Sequence, residues 1–356
     1  CVEIQGRTEC AACEIACPRG AIRFEDEVRE ETVRVGFIVI ATGFGVYDVG
    51  RVAGSGFGAH PDVLVAPQFE RMLDPLGPTG GRLLKRNGVP PRSVAFVHCV
   101  GSRDANYAPY CSRICCSLAV KYGLEVKRRW PDMAVYDFHI DIRTYGRRYE
   151  EAYRAAQEAG VVFVRGKPGR IEARREKFLL RGENTLLGRN MEVEVDMVVL
   201  MCAFAPRQGA DELARVLKVG RSADGFFLER HPKLDPVATL TDGVYVAGGA
   251  AGPKAIEESV AQAEAVAAKL LALLARGEIV REPLIALVDE DYCNGCGQCV
   301  AVCPFSARVI ESGVSRVVEA ACAGCGACAV ACPSAATTLV HLSRQALAAS
   351  ASSLSL

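Results

Sequence analysis

A chain of 356 residues, half of them apolar, is long enough for two or three domains with sizeable cores. Lysine plus arginine equals aspartate plus glutamate at 42 each, and no long basic run occurs, which argues against nucleic acid as the main partner. The longest apolar candidate, "SVAQAEAVAAKLLALLA", is interrupted by Gln262, Glu264 and Lys269 and reads as an alanine-rich helix of a soluble protein, not a membrane span.

Seventeen cysteines call for an explanation. In a small secreted protein they would suggest disulfides, but a chain this long and core-rich needs no such staples. The first group comes at the start. "CAACEIACP" spaces Cys10, Cys13 and Cys17 as the last three ligands of an iron–sulfur motif, with Pro18 after them. Arg7 stands where the first ligand belongs and cannot bind iron, so Cys1 is the local thiol that could complete the set; an empty ferredoxin remnant is the alternative. The chain opens at Cys1 without a methionine, so its true N-terminus is expected upstream.

Next, "VRVGFIVIATGF" (33–44) predicts a strand ending in Ala-Thr-Gly. "SVAFV" predicts another, followed by "HCVGSRDANYAPYCSRICC" (98–116) and a helix from "SLAVKYGL". Strand, loop and helix is where a nucleotide-binding domain keeps its glycine fingerprint. Here the loop carries Cys99-Val-Gly-Ser, then Cys111, Cys115 and Cys116, so nicotinamide binding is not expected there. "VEVDMVVLMCAFAP" (193–206) predicts a buried strand in which Cys202 is a small core hydrophobe. "LTDGVYVAGGAAGPKAIEESVAQAEAVAAKLLALL" (240–274) predicts strand, glycine turn and long helix. No G-x-G-x-x-G occurs, so a pyrophosphate-binding loop would have to lie upstream of Cys1.

The C-terminal end is the most specific. Cys293, Cys296, Cys299 and Cys303 form C-x2-C-x2-C-x3-C before Pro304, and Cys322, Cys325, Cys328 and Cys332 repeat it before Pro333. This is the bacterial two-cluster ferredoxin pattern, in which each fourth cysteine ligates the other 4Fe–4S cluster. The expected sets are therefore Cys293, Cys296, Cys299 with Cys332, and Cys322, Cys325, Cys328 with Cys303. A pair of zinc sites would also accept thiolates, but two copies of the terminal Cys-Pro favour clusters.

Stretches 33–44, 193–206 and 240–274 resemble the flavin domain of thioredoxin-reductase-like flavoproteins. That resemblance implies FAD contacts at Thr42, Gly43, Gly248, Gly249 and Gln262; that group commonly has an aspartate where Gly249 stands. A longer resemblance rests on "HCVGSRD", "PYCSRICC", "FHIDIRTYGRRYEEAY", "GVVFVRGKPGRI" and "GVYVAGGAAGPKAIEESVAQAEAVAAKLL". From Cys1 to about Ser343 the chain resembles the A subunit of heterodisulfide reductase. The family inserts a ferredoxin domain into its flavin domain, which implies Cys1, Cys10, Cys13 and Cys17 as one ligand set. It also implies an irregular 4Fe–4S site beside the flavin at Cys99, Cys111, Cys115 and Cys116. Cys111 and Cys115, four apart, are expected on one helix face, with Cys116 turned by about 100°; a vicinal disulfide or zinc site is the alternative. Lys121, on the same helix, is a candidate catalytic cation near the flavin, or simply a solvated lysine.

The fold class expected is α/β: a thioredoxin-reductase-like flavoprotein with Rossmann-like halves, a partial inserted ferredoxin segment and a C-terminal α+β two-cluster ferredoxin domain. The expected boundaries are 1–30 (insert remnant), 31–92 (FAD part), 93–192 (degenerate nicotinamide-type domain), 193–280 (second FAD part), 281–343 (ferredoxin domain) and 344–356 (flexible tail). The resemblance implies a cytoplasmic subunit of electron bifurcation, homodimeric within a complex. Its implied partners are a hydrogenase or dehydrogenase donor, ferredoxin, and B- and C-type subunits that reduce a disulfide. The rival readings are a flavin-free multi-cluster electron carrier and an NAD(P)H-dependent flavoprotein.

Overall fold

The computed structural model describes residues 11–24, 27, 29–277 and 284–340. Cys1, Cys10 and the 344–356 tail lie outside the described residues. The chain divides into two compact units, 1–36 and 37–356, so the first runs a few residues past the boundary expected at 30. In the first, Ala12–Ala16 forms a short helix after left-handed Ala11; Cys13 is exposed and Cys17 half-buried.

The second unit is built on a five-stranded, wholly parallel sheet. Its order is Val63–Val65, Met197–Cys202, Ser93–Val100, Ala134–His139, Val161–Arg165. Every residue of Ser93–Val100 and of Met197–Cys202 is buried, as expected for strands covered on both faces. The helices Cys115–Arg129 and Tyr149–Glu158 make the crossovers. Phe69, Phe96 and Tyr122 lock one layer together, with ring centroids 5.4 and 5.5 Å from Phe69. A three-stranded antiparallel meander, Arg170–Arg174, Lys177–Asn184 and Arg189–Val195, follows the fifth strand.

Two expected strands need correction. Residues 193–206 are three pieces: the end of the meander, the sheet strand Met197–Cys202, and Phe204–Pro206. The first break falls at buried Asp196, whose carboxylate accepts hydrogen bonds from the backbone N–H of Arg92 (2.7 Å) and Ser93 (3.0 Å). Of 33–43, only Ile38–Ile40 is a paired strand, parallel to Val244–Val246. Left-handed Gly43 (φ 71°) then turns the chain into Phe44–Val46, which pairs antiparallel with Phe204–Pro206. The sheet also crosses the expected limits at 92/93 and 192/193, because Met197–Cys202 pairs with the strand that carries Cys99 and Val63–Val65 pairs with Met197–Cys202 in turn.

Residues 284–340 form an α+β module with internal two-fold repetition. Two antiparallel pairs, Ala286–Val288 with Thr337–Leu339 and Arg308–Glu311 with Val314–Val317, accompany the short helices Gln298–Ala301 and Ala327–Ala331. The repeat extends to the turns: Gly295 and Gly324 are both left-handed, and a Cβ there would stand 2.2 Å from Gly313 O and 2.3 Å from Leu284 O. Only glycine fits at either place.

Candidate functional site

The two halves of the C-terminal module exchange cysteines. One cavity is bordered by Cys293, Cys296, Cys299 and Cys332, the other by Cys303, Cys322, Cys325 and Cys328. Each thus receives three cysteines from one motif and the fourth from the other. Backbone N–H groups already point at the sulfurs: Ser315 to Cys293 (3.3 Å), Ala286 to Cys322 (3.4 Å) and Ala307 to Cys303 (3.3 Å). Donors of this kind stabilise thiolate over thiol. Burial pushes the Cys299 thiol up, but the hydrogen bond to Ser315 Oγ (3.1 Å) and the Arg308 guanidinium outweigh it, and the net shift is downward. Burial likewise opposes the Cys332 thiolate, and the Ser334 hydroxyl with neighbouring N–H groups lowers it overall. Among the described residues, no three His, Cys, Asp or Glu groups converge as they would on one metal ion. The eight sulfurs surround spaces instead, which suits a four-iron cubane, whose ligands stand further apart. This donor set fits two such clusters.

The loop after Ser93–Val100 folds back on itself. Ala108 N–H donates to Gly101 O (3.1 Å), Arg103 N–H to Tyr110 O (3.0 Å), and Phe204 N–H to Ser112 Oγ (2.9 Å). Cys99, Gly101, Arg103 and Arg113 are all left-handed; for a non-glycine such as Cys99 (φ 55°) that costs about 1–2 kcal/mol. The fold brings the four thiols within electrostatic reach of one another: Cys116 and Cys111 act on Cys99, and Cys116, Cys99 and Cys111 act on Cys115. Cys99, Cys115 and Cys116 are buried, and Cys111 borders an open cavity of about 540 Å³. The expected common helix face for Cys111 and Cys115 is not found. The helix begins at Cys115, and left-handed Arg113 turns the chain before it, so Cys111 belongs to the loop. Arg113 N–H donates to Cys111 Sγ (3.3 Å). Cys116 Sγ lies 3.6 Å from His98 Nδ1, and His98 Nε2 lies 2.9 Å from Asp137 Oδ2. Burial opposes the charge on His98, but the Asp137 carboxylate outweighs it and holds the imidazole well above its usual range. Cys202 is a buried core residue as expected, its thiol pushed up to about 11 by burial.

The glycine turns meet where the small parallel pair ends. Ala247 N–H donates to Ile40 O (3.0 Å), which sets Thr42–Gly43 beside Gly248–Gly249 at the carboxyl ends of both strands. Ligands of open α/β sheets bind at such ends. Gln262 acts on the turn itself: its Oε1 accepts from Gly248 N–H (2.8 Å) and its Nε2 donates to Pro236 O (3.2 Å). The glycine at 249 also has a structural cause. A Cβ there would stand 2.5 Å from the Phe44 ring, which packs on Phe204 with centroids 4.2 Å apart. Gly249→Ala is therefore expected to destabilise by about 1–3 kcal/mol. Adding Phe44→Ala should recover part of that loss. A double-mutant cycle of thermal unfolding measures the coupling, and strict additivity would show that the ring is not the obstacle.

Phe44 also borders a cavity of about 830 Å³ between the helix Cys115–Arg129 and the start of Ile256–Arg276. Its wall is largely apolar, with Ile114, Leu118, Leu124 and Val260, a size and lining that suit an organic cofactor. Lys121 borders it, but its ammonium is ion-paired with Glu70 Oε1 at 2.6 Å and the side chain is mostly exposed. Three cations that sequence reasoning missed lie on the same cavity, Arg113, Arg128 and Lys254. Arg113 is ion-paired with Glu258, and half-buried Lys254 is held below its usual range by burial.

A parallel α/β body with a crossed eight-cysteine module defines an iron–sulfur protein. The family model for the 4Fe-4S dicluster domain matches residues 285–333. The A subunit of the H(2):CoB-CoM heterodisulfide,ferredoxin reductase of Methanothermobacter marburgensis is 44% identical over 313 residues, covering 87% of this chain and 48% of that protein. The A subunit of the ferredoxin/F(420)H(2)-dependent CoB-CoM heterodisulfide reductase of Methanosarcina acetivorans is 44% identical over 306 residues, covering 85% and 39%. Over the matched residues the chain is a homologue of the heterodisulfide reductase A subunits and belongs to that family. It spans about half the length of the curated relatives it matches. Among solved structures, T. acidophilum thioredoxin reductase aligns with a TM-score of 0.43 at 13% identity, covering 67% of this chain and 66% of that one. Among the described residues, no helix is long and apolar enough to cross a membrane.

Proposed function

We propose that the chain is the flavin- and iron–sulfur-bearing part of a heterodisulfide-reductase-type A subunit, an electron-transfer and bifurcating component. In this reading it takes electrons from a hydrogenase or dehydrogenase subunit. It divides them between ferredoxin and the B- and C-type subunits that reduce a disulfide, as a homodimer within a cytoplasmic complex. The observation that carries the reading is the crossed cysteine sets, each around its own cavity. Bound FAD supplies two-electron exchange and the clusters one-electron steps, at potentials from about −700 to +450 mV according to hydrogen bonding and exposure.

In the same reading the residues divide into four ligand sets and a flavin site. Cys293, Cys296, Cys299 and Cys332 hold one cluster, and Cys322, Cys325, Cys328 and Cys303 the second. Cys99, Cys111, Cys115 and Cys116 hold a third beside the flavin cavity, and Cys1, Cys10, Cys13 and Cys17 a fourth. Thr42, Gly43, Gly248 and Gly249 offer the flavin close backbone approach, with Gln262 fixing the turn. Arg113, Arg128 and Lys254 place positive charge on the cavity wall, and Lys121, bridged to Glu70, adds another cation at its rim.

Anaerobic reconstitution with iron and sulfide tests the assignment. About sixteen iron atoms per chain are expected, four for each of four clusters. About eight would restrict the clusters to the C-terminal module, and fewer than about four would overturn the reading. FAD is tested on the full-length subunit, because the pyrophosphate-binding loop is expected upstream of Cys1: this chain alone should bind added FAD weakly or not at all, and a full-length anaerobic preparation without FAD would favour a flavin-free carrier.

A further inference from the structure

The C-terminal module contains a buried cation for which no ion pair with a carboxylate is found among the described residues. Arg308, at the start of Arg308–Glu311, is 2% exposed. Its Nη2 donates to Thr337 Oγ1 at 3.0 Å, a neutral partner. Its Nε and Nη1 are buried and have no hydrogen-bond partner among the described residues. A buried guanidinium left in this state is strongly unfavourable unless negative charge sits nearby.

Its position shows where that charge would be. Arg308 borders the cavity of Cys303, Cys322, Cys325 and Cys328, while the Thr337 it holds borders the cavity of Cys293, Cys296, Cys299 and Cys332. The side chain thus bridges the two antiparallel strand pairs, lying on the wall of one cavity and holding a residue on the wall of the other. Its charge acts on sulfurs of each, Cys299 on one side and Cys328 on the other. Unlike histidine or lysine, arginine keeps its charge at every working pH.

We propose that Arg308 is a fixed cation shared by the two C-terminal clusters, placed to raise the reduction potential of both. The proposal rests on the reading that the eight cysteines hold two 4Fe–4S clusters. Each reduction adds one electron, here from a dithionite titrant, and so adds one negative charge that a desolvated guanidinium stabilises. Arg308 is a positioning residue in this sense: it acts through the clusters and touches no substrate.

The test is a potentiometric titration of the reconstituted full chain followed by EPR. Signals are assigned to the module by their loss in Cys303→Ala and Cys332→Ala chains. Arg308→Met should shift the reduction equilibrium of both clusters at least tenfold toward the oxidised form, about 59 mV for one electron. Arg308→Lys should move them less than threefold, and so should Thr337→Val, which removes the hydrogen bond but keeps the charge. Unchanged potentials in Arg308→Met, or an equal fall in Thr337→Val, would overturn the proposal. Should Arg308→Met lose its iron, Arg308→Gln makes the same comparison. If both neutral variants lose iron, Arg308→Lys decides: retained iron with unchanged potentials upholds the shared charge, and lost iron or fallen potentials assigns a packing role instead. A wild-type chain with no cluster signals from the module would sink the cluster reading itself before any variant is compared.

Discussion

Cys332→Ala is expected to remove the cluster of the first motif and spare that of its own. Cys332 borders the cavity of Cys293, Cys296 and Cys299, whereas Cys322, Cys325 and Cys328 border the other with Cys303. Alanine leaves no ligand, so about four of the module's iron atoms should be lost, together with one of its two EPR signals. Cys303→Ala should remove the complementary signal. The two variants separate crossed from uncrossed ligation cleanly, because both chains keep one complete set. If Cys332→Ala instead loses the signal that depends on Cys322, Cys325 and Cys328, the cavities do not report the ligand sets.

The cysteine spacing made this module legible because steps of two and three residues are local and fix how a short loop wraps a cluster. The crossing of the fourth ligand is a property of the repeat, so it too could be read from two copies of one motif. The sheet was less legible. Residues 33–44 and 193–206 look like single strands, since an apolar run records burial and not partnership. Asp196 and Gly43 break them by long-range hydrogen bonding and by a left-handed turn. Cys111 and Cys115 have helical spacing, yet left-handed Arg113 puts them in different elements.

Arg308 was invisible for another reason. In "SARVIES" an arginine reads as the polar face of a short strand, and nothing local says that both its faces are covered. Gly249 shows the opposite case. The departure from the aspartate of similar flavoproteins was visible in the sequence, but its cause, the Phe44 ring from about two hundred residues away in the chain, was not. Such contacts join segments that come together only in the finished fold. Side chains whose role depends on them, Lys254 and Arg113 included, cannot be picked out by spacing.

Asp137→Ala should destabilise the five-stranded sheet by about 3–5 kcal/mol, the loss typical when one partner of a buried pair is removed. Asp137 and His98 are each 1% exposed and sit on adjacent parallel strands. The Asp137 carboxylate meets His98 Nε2 at 2.9 Å and His139 Nδ1 at 3.3 Å; alanine takes the partner from His98 Nε2, while His139 Nδ1 keeps the main-chain carbonyl of residue 137 at 3.4 Å. Burial opposes the Asp137 charge, but the His98 charge and the hydrogen bonds from both histidines outweigh it and lower its pKa below the ordinary 3.8. The sign follows. A carboxyl lowered in the folded state binds its proton more readily when unfolded, so its contribution is present above about pH 4 and fades as pH falls through the lowered value. The gap between wild type and Asp137→Ala should therefore stay wide from neutral pH to about 4 and close below it. Trp130, the only tryptophan in the chain, packs against the core of this sheet, so its fluorescence in urea reports the right transition. A gap under about 1 kcal/mol at pH 7 would mean that His98 finds another partner, and that Asp137 does not hold His98 against Cys116.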